Sequence, residues 1–306
     1  MRGRGLSPPL GSVLQVFPRS LLSFNPISAF PISLLQPVRQ YKVKMATNGH
    51  TNGTSAEIIL YANHCCPWAH RAYIALAELG LPFKEEIIDL SVPRTAEYLA
   101  INPRGLVPTL KYNGEIITES AIVAQFLADQ YPSHLVKTSS EPGGALQRAR
   151  INFFVDALIN KVQPNFYPQI LAKTEEEKLE KMDAFVTAMV KEVEPLLKNA
   201  APFFGGSSRL TLAEVRNTIK EDSRELFREI NSSQVLTGSF ILHYMNFPKH
   251  GLLHSSLLSE LESKTPHFYK WANAVIAEKS VNYIWDEDKV VANARSKIAK
   301  MAAAAK

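Results

Sequence analysis

The residue with the clearest chemical potential is Cys66, which opens the run Cys66-Pro67-Trp68-Ala69. The apolar run before it predicts a buried strand over Ile58 to Tyr61, and a helix is predicted over Pro67 to Leu79. A cysteine at the first turn of a helix faces unpaired backbone N–H groups and the positive end of the helix dipole, and both favour the thiolate. We therefore expect Cys66 to be a nucleophile with a lowered pKa. The alternative is a small buried packing residue.

The only other cysteine in the sequence is Cys65. It lies one residue too early to point into the same cleft, so we expect it to serve in packing. Two adjacent cysteines cannot build a disulfide framework or a paired-cysteine metal site, which favours a reducing compartment and predicts no bound metal. His64 and His70 flank the motif, and each is expected to be a surface residue.

Two further segments could bind a ligand through polar groups. The bond between Val107 and Pro108 precedes a predicted strand, and a cis bond there would expose the Val107 main chain to a peptide-like ligand. Glu119 and Ser120 follow a predicted hairpin. Ser120 is a suitable N-cap whose helix start would bind a carboxylate, and Glu119 offers a negative charge for an ammonium group. Each segment alone also fits an ordinary loop or cap.

Together these segments resemble the omega class of glutathione transferases, with matching order and spacing from about Glu57 to the C-terminus. The resemblance implies that Cys66 forms a mixed disulfide with glutathione, and that Arg94, eight residues before Asn102, binds the glycine end of glutathione. Trp68 stands where family members often have Phe, and His70 where they often have Glu. The implied glutathione-binding residues are Pro67, Trp68, Arg94, Val107, Pro108, Glu119 and Ser120.

The same resemblance implies an enzyme that transfers or reduces thiols, as a thioltransferase or a dehydroascorbate reductase does. Glutathione would be its cosubstrate, a small electrophile or disulfide its second substrate, and a homodimer its assembly. Ala69 stands where glutaredoxins carry a second cysteine, so a second glutathione would release the product. The alternatives are conjugation or isomerisation of a small electrophile in secondary metabolism, and a binding protein without turnover. Candidate walls for the second substrate are Phe153, Phe154, Phe166, Tyr167 and Trp271.

The predicted elements distribute these residues over two domains. Residues 57–132 alternate as βαβ-α-ββα, with Asn113-Gly114 as a hairpin turn, which predicts a thioredoxin-like α/β domain. Residues 133–144 predict a linker. Residues 145–306 predict an all-α domain, the second half of the cytosolic glutathione transferase fold. Its predicted helices include Ala145 to Leu171, Glu175 to Leu197 and Pro266 to Glu278.

Composition and charge argue against several other functions. Hydrophobic residues at 46% and charged residues at 21% are typical of globular proteins, and no apolar run reaches the roughly 20 residues of a membrane-spanning helix. The net charge of +5 arises from residues 1–56, which hold six of the 34 basic residues and no acidic residue. Because the rest of the chain is nearly neutral, we expect no nucleic-acid partner.

Residues 1–56 are expected to lie outside the fold. The first 44 are rich in Ser, Pro, Leu and Phe, as in a mitochondrial presequence, but Met45 is an alternative start that would make the protein cytoplasmic. We expect the cytoplasmic form. A native N-terminus at or just after Met45 would agree with it, whereas one near Lys42 would indicate a presequence. Residues 46–56 predict a flexible arm.

An interruption is expected in the helical domain. Thr211 and Glu214 predict a capping box that opens a core helix. Charged residues follow over 216–234, and the apolar pattern resumes only at Val235. Joining Val215 to Val235 would restore a continuous amphipathic helix, so we expect residues 216–234 to be an insertion, either a solvated excursion or a retained intron. The alternative is an ordinary charged helix.

Overall fold

The computed structural model describes residues 56–215 and 237–304. The expectations for the leader and for the insertion at 216–234 fall outside these ranges. Within the described residues, none of the helices combines the length and the apolar character needed to cross a membrane.

The first part of the described chain is built around a mixed sheet. In it, β2 runs parallel to β1, and β3 runs antiparallel to both β1 and β4. The strands are β1 (Ile58–Ala62), β2 (Lys84–Ile87), β3 (Thr109–Tyr112) and β4 (Glu115–Thr118), in the order β2-β1-β3-β4. The helices are α1 (Pro67–Glu78), α2 (Ala96–Ile101) and α3 (Ser120–Gln130). This arrangement confirms the predicted thioredoxin-like α/β unit.

The remainder of the described chain is helical, which confirms the predicted all-α part. Its helices are α4 (Gly144–Asp156), α5 (Tyr167–Leu171), α6 (Glu175–Glu192), α7 (Leu212–Val215), α8 (Thr237–Asn246), α9 (Leu257–Lys264), α10 (Pro266–Ala277) and α11 (Glu287–Ala304).

Prolines break two helices that the sequence pattern predicts as continuous. The helix predicted over Ala145 to Leu171 is interrupted after α4 by a π-helical turn and a 3-10 turn, and Pro164 lies in the 3-10 turn. The helix predicted from Glu175 ends as α6, and Pro195 lies in the 3-10 turn that follows. Proline lacks the N–H that an α-helix needs and clashes with the preceding turn, so apolar spacing alone overestimates both lengths.

Helix α8 joins the two parts of the molecule. It packs against α1, α7 and α10, and the Ser239 hydroxyl donates to the carbonyl oxygen of Pro67 at 3.1 Å. Phe240, Ile241 and Tyr244 are buried in the common core. The start of α1, which carries the chemically interesting motif, is therefore anchored directly to the helical part.

Candidate functional site

Strand register brings the three predicted ligand-binding segments to one end of the sheet. Thr109, the first residue of β3, pairs with Tyr61 of β1 and with Thr118 of β4. The end of β1 leads to Cys66, the start of β3 follows Pro108, and the end of β4 leads to Ser120. A ligand at this edge of the sheet would therefore meet all three segments.

Cys66 occupies the N-cap of α1, with extended φ and ψ values of −95° and 111°. The backbone N–H groups of Trp68 and Ala69 favour its thiolate, as expected at a helix start, although the side chain forms no cap hydrogen bond. The side chain is only 1% exposed. Burial raises the pKa of the Cys66 thiol above its ordinary value, and this effect exceeds the opposing effects of these N–H groups and of the positive charge of Lys297. The predicted lowering of this pKa is therefore wrong for the protein without ligand, because desolvation outweighs the helix start.

Cys65 also differs from its prediction as a packing residue. It is half-buried and lines two cavities beside the start of α1. One cavity, of about 220 Å³, lies against β2 and the first turn of α11. The other, of about 90 Å³, lies between Pro67 and the middle of α11. Because the last helix of the chain forms a wall of both cavities, the position of Cys65 could not be inferred from residues near it in sequence.

Val107 and Pro108 form the expected cis peptide bond. Since β3 begins at Thr109, the main chain of Val107 lies outside the strand ladder. The hydroxyl of Tyr98 donates to the carbonyl oxygen of Leu106 at 2.5 Å and lies 3.0 Å from the Thr109 hydroxyl. Tyr98 thus contacts residues on both sides of the cis bond, a role that its position in the sequence does not signal.

The β4–α3 junction has an unusual backbone. Helix α3 begins at Ser120, so Glu119 and not Ser120 holds the N-cap position, with φ at +67°. Non-glycine residues rarely adopt this conformation, and such positions cluster at functional sites. The carboxylate of Glu119 forms an ion pair with Arg104. Buried Arg71 of α1 donates from Nη1 to the Ser120 hydroxyl at 3.0 Å, which links the two helix starts.

The guanidinium group of Arg94 contacts main-chain carbonyls in this structure. Its Nε donates to Gly105 at 2.9 Å, and its Nη1 donates to Asp89 at 2.8 Å and to Val92 at 2.6 Å. Gly105 has φ at +63°, and a Cβ there would lie 3.1 Å from Cγ of Arg94. These contacts brace the loop that leads into the cis-proline segment. They leave the implied role of Arg94 in glutathione binding as a prediction.

Comparison with known proteins shows similarity to glutathione S-transferases. The model described as "Glutathione S-transferase, N-terminal domain" matches residues 65–130, from Cys65 to the end of α3. Glutathione S-transferase omega-1 of Mus musculus is 27% identical over 154 residues, which cover 50% of this chain and 61% of that protein. Glutathione S-transferase 3 of Glycine max is 30% identical over 154 residues, which cover 49% of this chain and 66% of that protein. Residues 65–130 therefore match a glutathione S-transferase N-terminal domain, and about half of the chain is similar to glutathione S-transferases.

Within this family the likeness extends to the omega class, to which the mouse relative belongs by name. The chain spans less than two thirds of the length of these relatives. Solved structures share the fold. Omega 2C from Trametes versicolor is 24% identical with a TM-score of 0.62, covering 79% of this chain and 99% of that one. Rice GST1, solved in complex with glutathione, is 22% identical with a TM-score of 0.61, covering 81% and 99%.

The candidate walls for a second substrate have different environments in the structure. Phe166 and Tyr167 line the smaller cavity together with Pro67. Phe154 and Trp271 are fully buried core residues, whereas Phe153 is 62% exposed. Residue type alone does not predict which of these aromatic side chains line the cavity, which are buried in the core and which are exposed. Lys297, which lines the same cavity from α11, carries no signal in the sequence and was missed.

Proposed function

We propose that this chain is a glutathione-dependent transferase of omega type that transfers or reduces thiols through a mixed disulfide on Cys66. One observation carries the proposal. Cys66 holds the N-cap position of α1, where the backbone N–H groups of Trp68 and Ala69 favour its thiolate. It does so at the sheet edge where the cis-proline segment and the start of α3 converge. The alternatives, conjugation or isomerisation and binding without turnover, are outcomes of the tests below.

The proposed reaction has two exchange steps. The Cys66 thiolate attacks the glutathione sulfur of a mixed disulfide, the old S–S bond breaks, and the substrate leaves as a thiolate. A second glutathione thiolate then attacks the glutathione sulfur bound to Cys66, which forms glutathione disulfide and restores the Cys66 thiolate. In the net exchange one free glutathione thiolate is consumed, the substrate sulfur is released as a thiolate, and the glutathione of the mixed disulfide leaves in glutathione disulfide. Ala69 leaves no second cysteine at the usual position, so the second glutathione is required.

The glutathione itself would be held by the three segments at the sheet edge. The main chain of Val107 is positioned outside the ladder to pair with the peptide-like part of glutathione. The start of α3 at Ser120 offers N–H groups to the γ-glutamyl carboxylate, and Glu119 offers a negative charge to its ammonium. The other proposed contacts of glutathione are Pro67, Trp68, Pro108 and Arg94.

Single-cysteine variants test the nucleophile, because the chain has only two cysteines. Oxidised glutathione should add one glutathione to Cys65→Ala and leave Cys66→Ala unmodified, as measured by intact mass. Thiol transfer should fall at least 100-fold in Cys66→Ala, since removing a nucleophile removes the covalent step. Cys65→Ala should stay within about threefold of the parent. Thiol transfer retained by Cys66→Ala would contradict the assignment.

The raised pKa predicts how the reactivity of Cys66 depends on pH. Because burial keeps the thiol protonated at pH 7, alkylation of Cys65→Ala by iodoacetamide should accelerate by about tenfold per pH unit from 7 to 9, in proportion to the thiolate. A rate already at its plateau at pH 7 would show a thiolate in the free protein. Thiol-transfer, dehydroascorbate-reduction and aryl-halide conjugation assays on one preparation then separate the proposed activity from its alternatives.

We also propose that the chain forms a homodimer through an apolar surface on β4, α3 and α4. Ile116, Ile122, Leu146 and Phe153 are 40–62% exposed, and the Arg148–Asp129 ion pair at 2.7 Å holds α4 beside α3. Exposed apolar patches of this kind mark interfaces. Phe153→Asp should convert the dimer into a monomer in light scattering. Leu179→Asp, on the similarly exposed α6 position, should not, and an unchanged Phe153→Asp dimer would place the interface elsewhere.

A cytoplasmic location is proposed as well. Its support is the pair of free cysteines, which fits a reducing compartment. The N-terminus of the native protein, at Met45 or near Lys42, is the deciding measurement.

A further inference from the structure

The larger cavity is separate from the sulfur of Cys66 and contains its own group of reactive side chains. It lies between the turn after β1, strand β2 and the first turn of α11. Its volume is about 220 Å³, below the range of roughly 300–1,000 Å³ for drug-sized ligands, so a ligand that fits is small. Residues that line it include His64, Cys65, Glu85, Tyr283, Trp285 and Lys289.

A buried carboxylate orients the histidine of this cavity. Nε2 of His64 lies 2.7 Å from Oε1 of Glu85. The Glu85 side chain is 4% exposed and the His64 side chain 38% exposed. Glu85 also accepts a hydrogen bond from the hydroxyl of Tyr73. When Nε2–H donates to the carboxylate, Nδ1 of His64 keeps a lone pair that can accept a proton.

Cys65 lines the same cavity as this histidine. Burial raises the pKa of the Cys65 thiol, and the charges of Lys297 and Lys289 oppose this effect while Asp286 adds to it. A thiol of this kind is largely protonated at neutral pH, so its reaction requires a base. A nucleophile, a base and the carboxylate that orients the base therefore line the same cavity, and these are the group types that activate thiols.

We propose that Cys65 is a second nucleophile of this chain and adds to small, planar α,β-unsaturated carbonyl compounds in this cavity, with His64 accepting the thiol proton. A bond forms between Sγ and the β-carbon, while the C=C π pair moves through the α-carbon to the carbonyl oxygen. The proton passes from Sγ to His64 and then to the α-carbon. No group is oxidised or reduced and no further reactant is needed.

The walls of the cavity match this class of compound. Tyr283 and Trp285 provide aromatic faces for a planar conjugated system. The ammonium of Lys289, 2.6 Å from Asp286, lies at the rim and can stabilise the enolate oxygen that develops during addition. Glutathione has no part in this step, so the proposal is independent of the reaction assigned to Cys66.

N-ethylmaleimide is a suitable probe, because it is small, planar and an α,β-unsaturated carbonyl compound. In the full chain at pH 7 without glutathione, Cys66→Ala should gain one maleimide, with a rate that saturates as the reagent concentration rises. Cys65→Ala should react at least tenfold more slowly, since Cys66 is 1% exposed. In denaturant both variants should react at similar rates. A linear concentration dependence in Cys66→Ala, or faster reaction of Cys65→Ala, would overturn the proposal.

The role of His64 is tested in the Cys66→Ala background. Adding His64→Gln should slow maleimide addition at least tenfold and make the rate rise by about tenfold per pH unit from 7 to 8, because only preformed thiolate then reacts. The rate of maleimide addition to Cys66→Ala itself should rise less steeply with pH. A matched control is His134→Gln, since His134 forms a similar pair with Glu78 at 2.8 Å but does not line this cavity. An unchanged rate and pH profile in His64→Gln would remove the histidine from the reaction.

Glutathione exchange separates this proposal from the one on Cys66. If Cys65 does not add maleimide, the proposal for Cys65 fails, but Cys65→Ala still forms the glutathione adduct on Cys66. If Cys65→Ala takes up no glutathione, the assignment of Cys66 fails, but the maleimide kinetics of Cys66→Ala are unchanged.

Discussion

Lowering the pH from 7 to 4 is expected to remove on the order of 6 kcal/mol from the free energy of unfolding, through two buried histidines alone. His70 on α1 is 2% exposed and His243 on α8 is 8% exposed. Burial lowers the pKa of His70 to about 3 and that of His243 to about 4. Both therefore remain neutral in the folded protein at pH values where the unfolded chain is protonated.

The direction of the effect follows from proton linkage. The unfolded histidines have a pKa of about 6.5, above both folded values, so the unfolded state binds more protons below pH 6.5. Stability is therefore complete above about pH 6.5 and is lost as the pH falls towards the folded values of about 4 and 3. Each histidine contributes a slope of about 1.4 kcal/mol per pH unit in this window. Against a typical total of 5–15 kcal/mol, the loss is enough to unfold many domains.

The surroundings of the His70 and His243 rings do little to stabilise their protonated forms against the cost of burial. His70 has a hydrogen bond with the Val281 backbone, but its Nε2 has no partner among the described residues. The other charged groups acting on it are His243 and His64, which disfavour a further positive charge. Nδ1 of His243 lies 2.6 Å from the Ser239 carbonyl oxygen, and Lys297 opposes its protonation.

Urea unfolding curves at pH 7, 6, 5 and 4.5 measure the predicted slope. His243→Gln should reduce the slope by about 1.4 kcal/mol per pH unit between pH 6 and 5, and His70→Gln should do the same where it folds at pH 7. Any loss of stability at neutral pH through changed packing shifts the whole curve and leaves the predicted change in slope unaffected. A parent protein whose free energy of unfolding is constant from pH 6.5 to 4.5 would contradict the assignment of both rings as buried and neutral.

The prediction that His70 is a surface residue is wrong. His70 lies three residues after Pro67, but α1 directs its side chain towards Val281, which is distant in sequence, and the side chain is buried. The burial of Cys66 was likewise not predicted. Local sequence correctly placed its sulfur at a helix start, whereas its burial depends on tertiary packing that residues near the motif do not encode.

Elements whose patterns are local were predicted well. The β3–β4 hairpin turns at Asn113-Gly114 as predicted, because this turn signal is contained in the segment itself. Arg71, by contrast, gave no signal as a site residue. Its guanidinium lies 5.5 Å from the ring of Trp68 on the same helix, but it reaches Ser120 only because α1 packs on α3.

The second large effect is expected at Glu214, where replacement by alanine should destabilise the protein by about 3–5 kcal/mol. Glu214 is 1% exposed. Its Oε1 accepts hydrogen bonds from the Phe204 N–H at 2.9 Å and from Trp271 Nε1 at 2.8 Å. Its Oε2 accepts from the N–H and the hydroxyl of Thr211, both at 2.7 Å. One half of the predicted capping box is therefore present: the Glu214 carboxylate accepts from the Thr211 N–H, whereas the Thr211 hydroxyl accepts from the Ala213 N–H at 3.1 Å. The Glu214 carboxylate also binds two other parts of the helical domain.

The size of the effect comes from the donors left behind. In Glu214→Ala the N–H groups of Phe204, Thr211 and Trp271 lose their acceptor inside the core, and each unsatisfied buried donor costs about 1–3 kcal/mol. Burial raises the pKa of Glu214, opposed by the hydrogen bonds from Trp271 and Phe204. Part of the stabilisation by these bonds is therefore offset by desolvation, which keeps the expected loss below the sum of the separate costs.

An exposed helix start in the same chain provides the matched control for Glu214. Thr174 and Glu177 have the same spacing at the start of α6, and the Glu177 carboxylate accepts a hydrogen bond from the Lys173 N–H at 2.7 Å. Thr174, Glu177 and Lys173 are all exposed. Glu177→Ala should cost less than about 1 kcal/mol, because water replaces the lost acceptor. Urea unfolding at pH 7 compares the two variants directly. If Glu214→Ala unfolded within 1 kcal/mol of Glu177→Ala, the buried hydrogen bonds of Glu214 would contribute no more than an exposed helix cap.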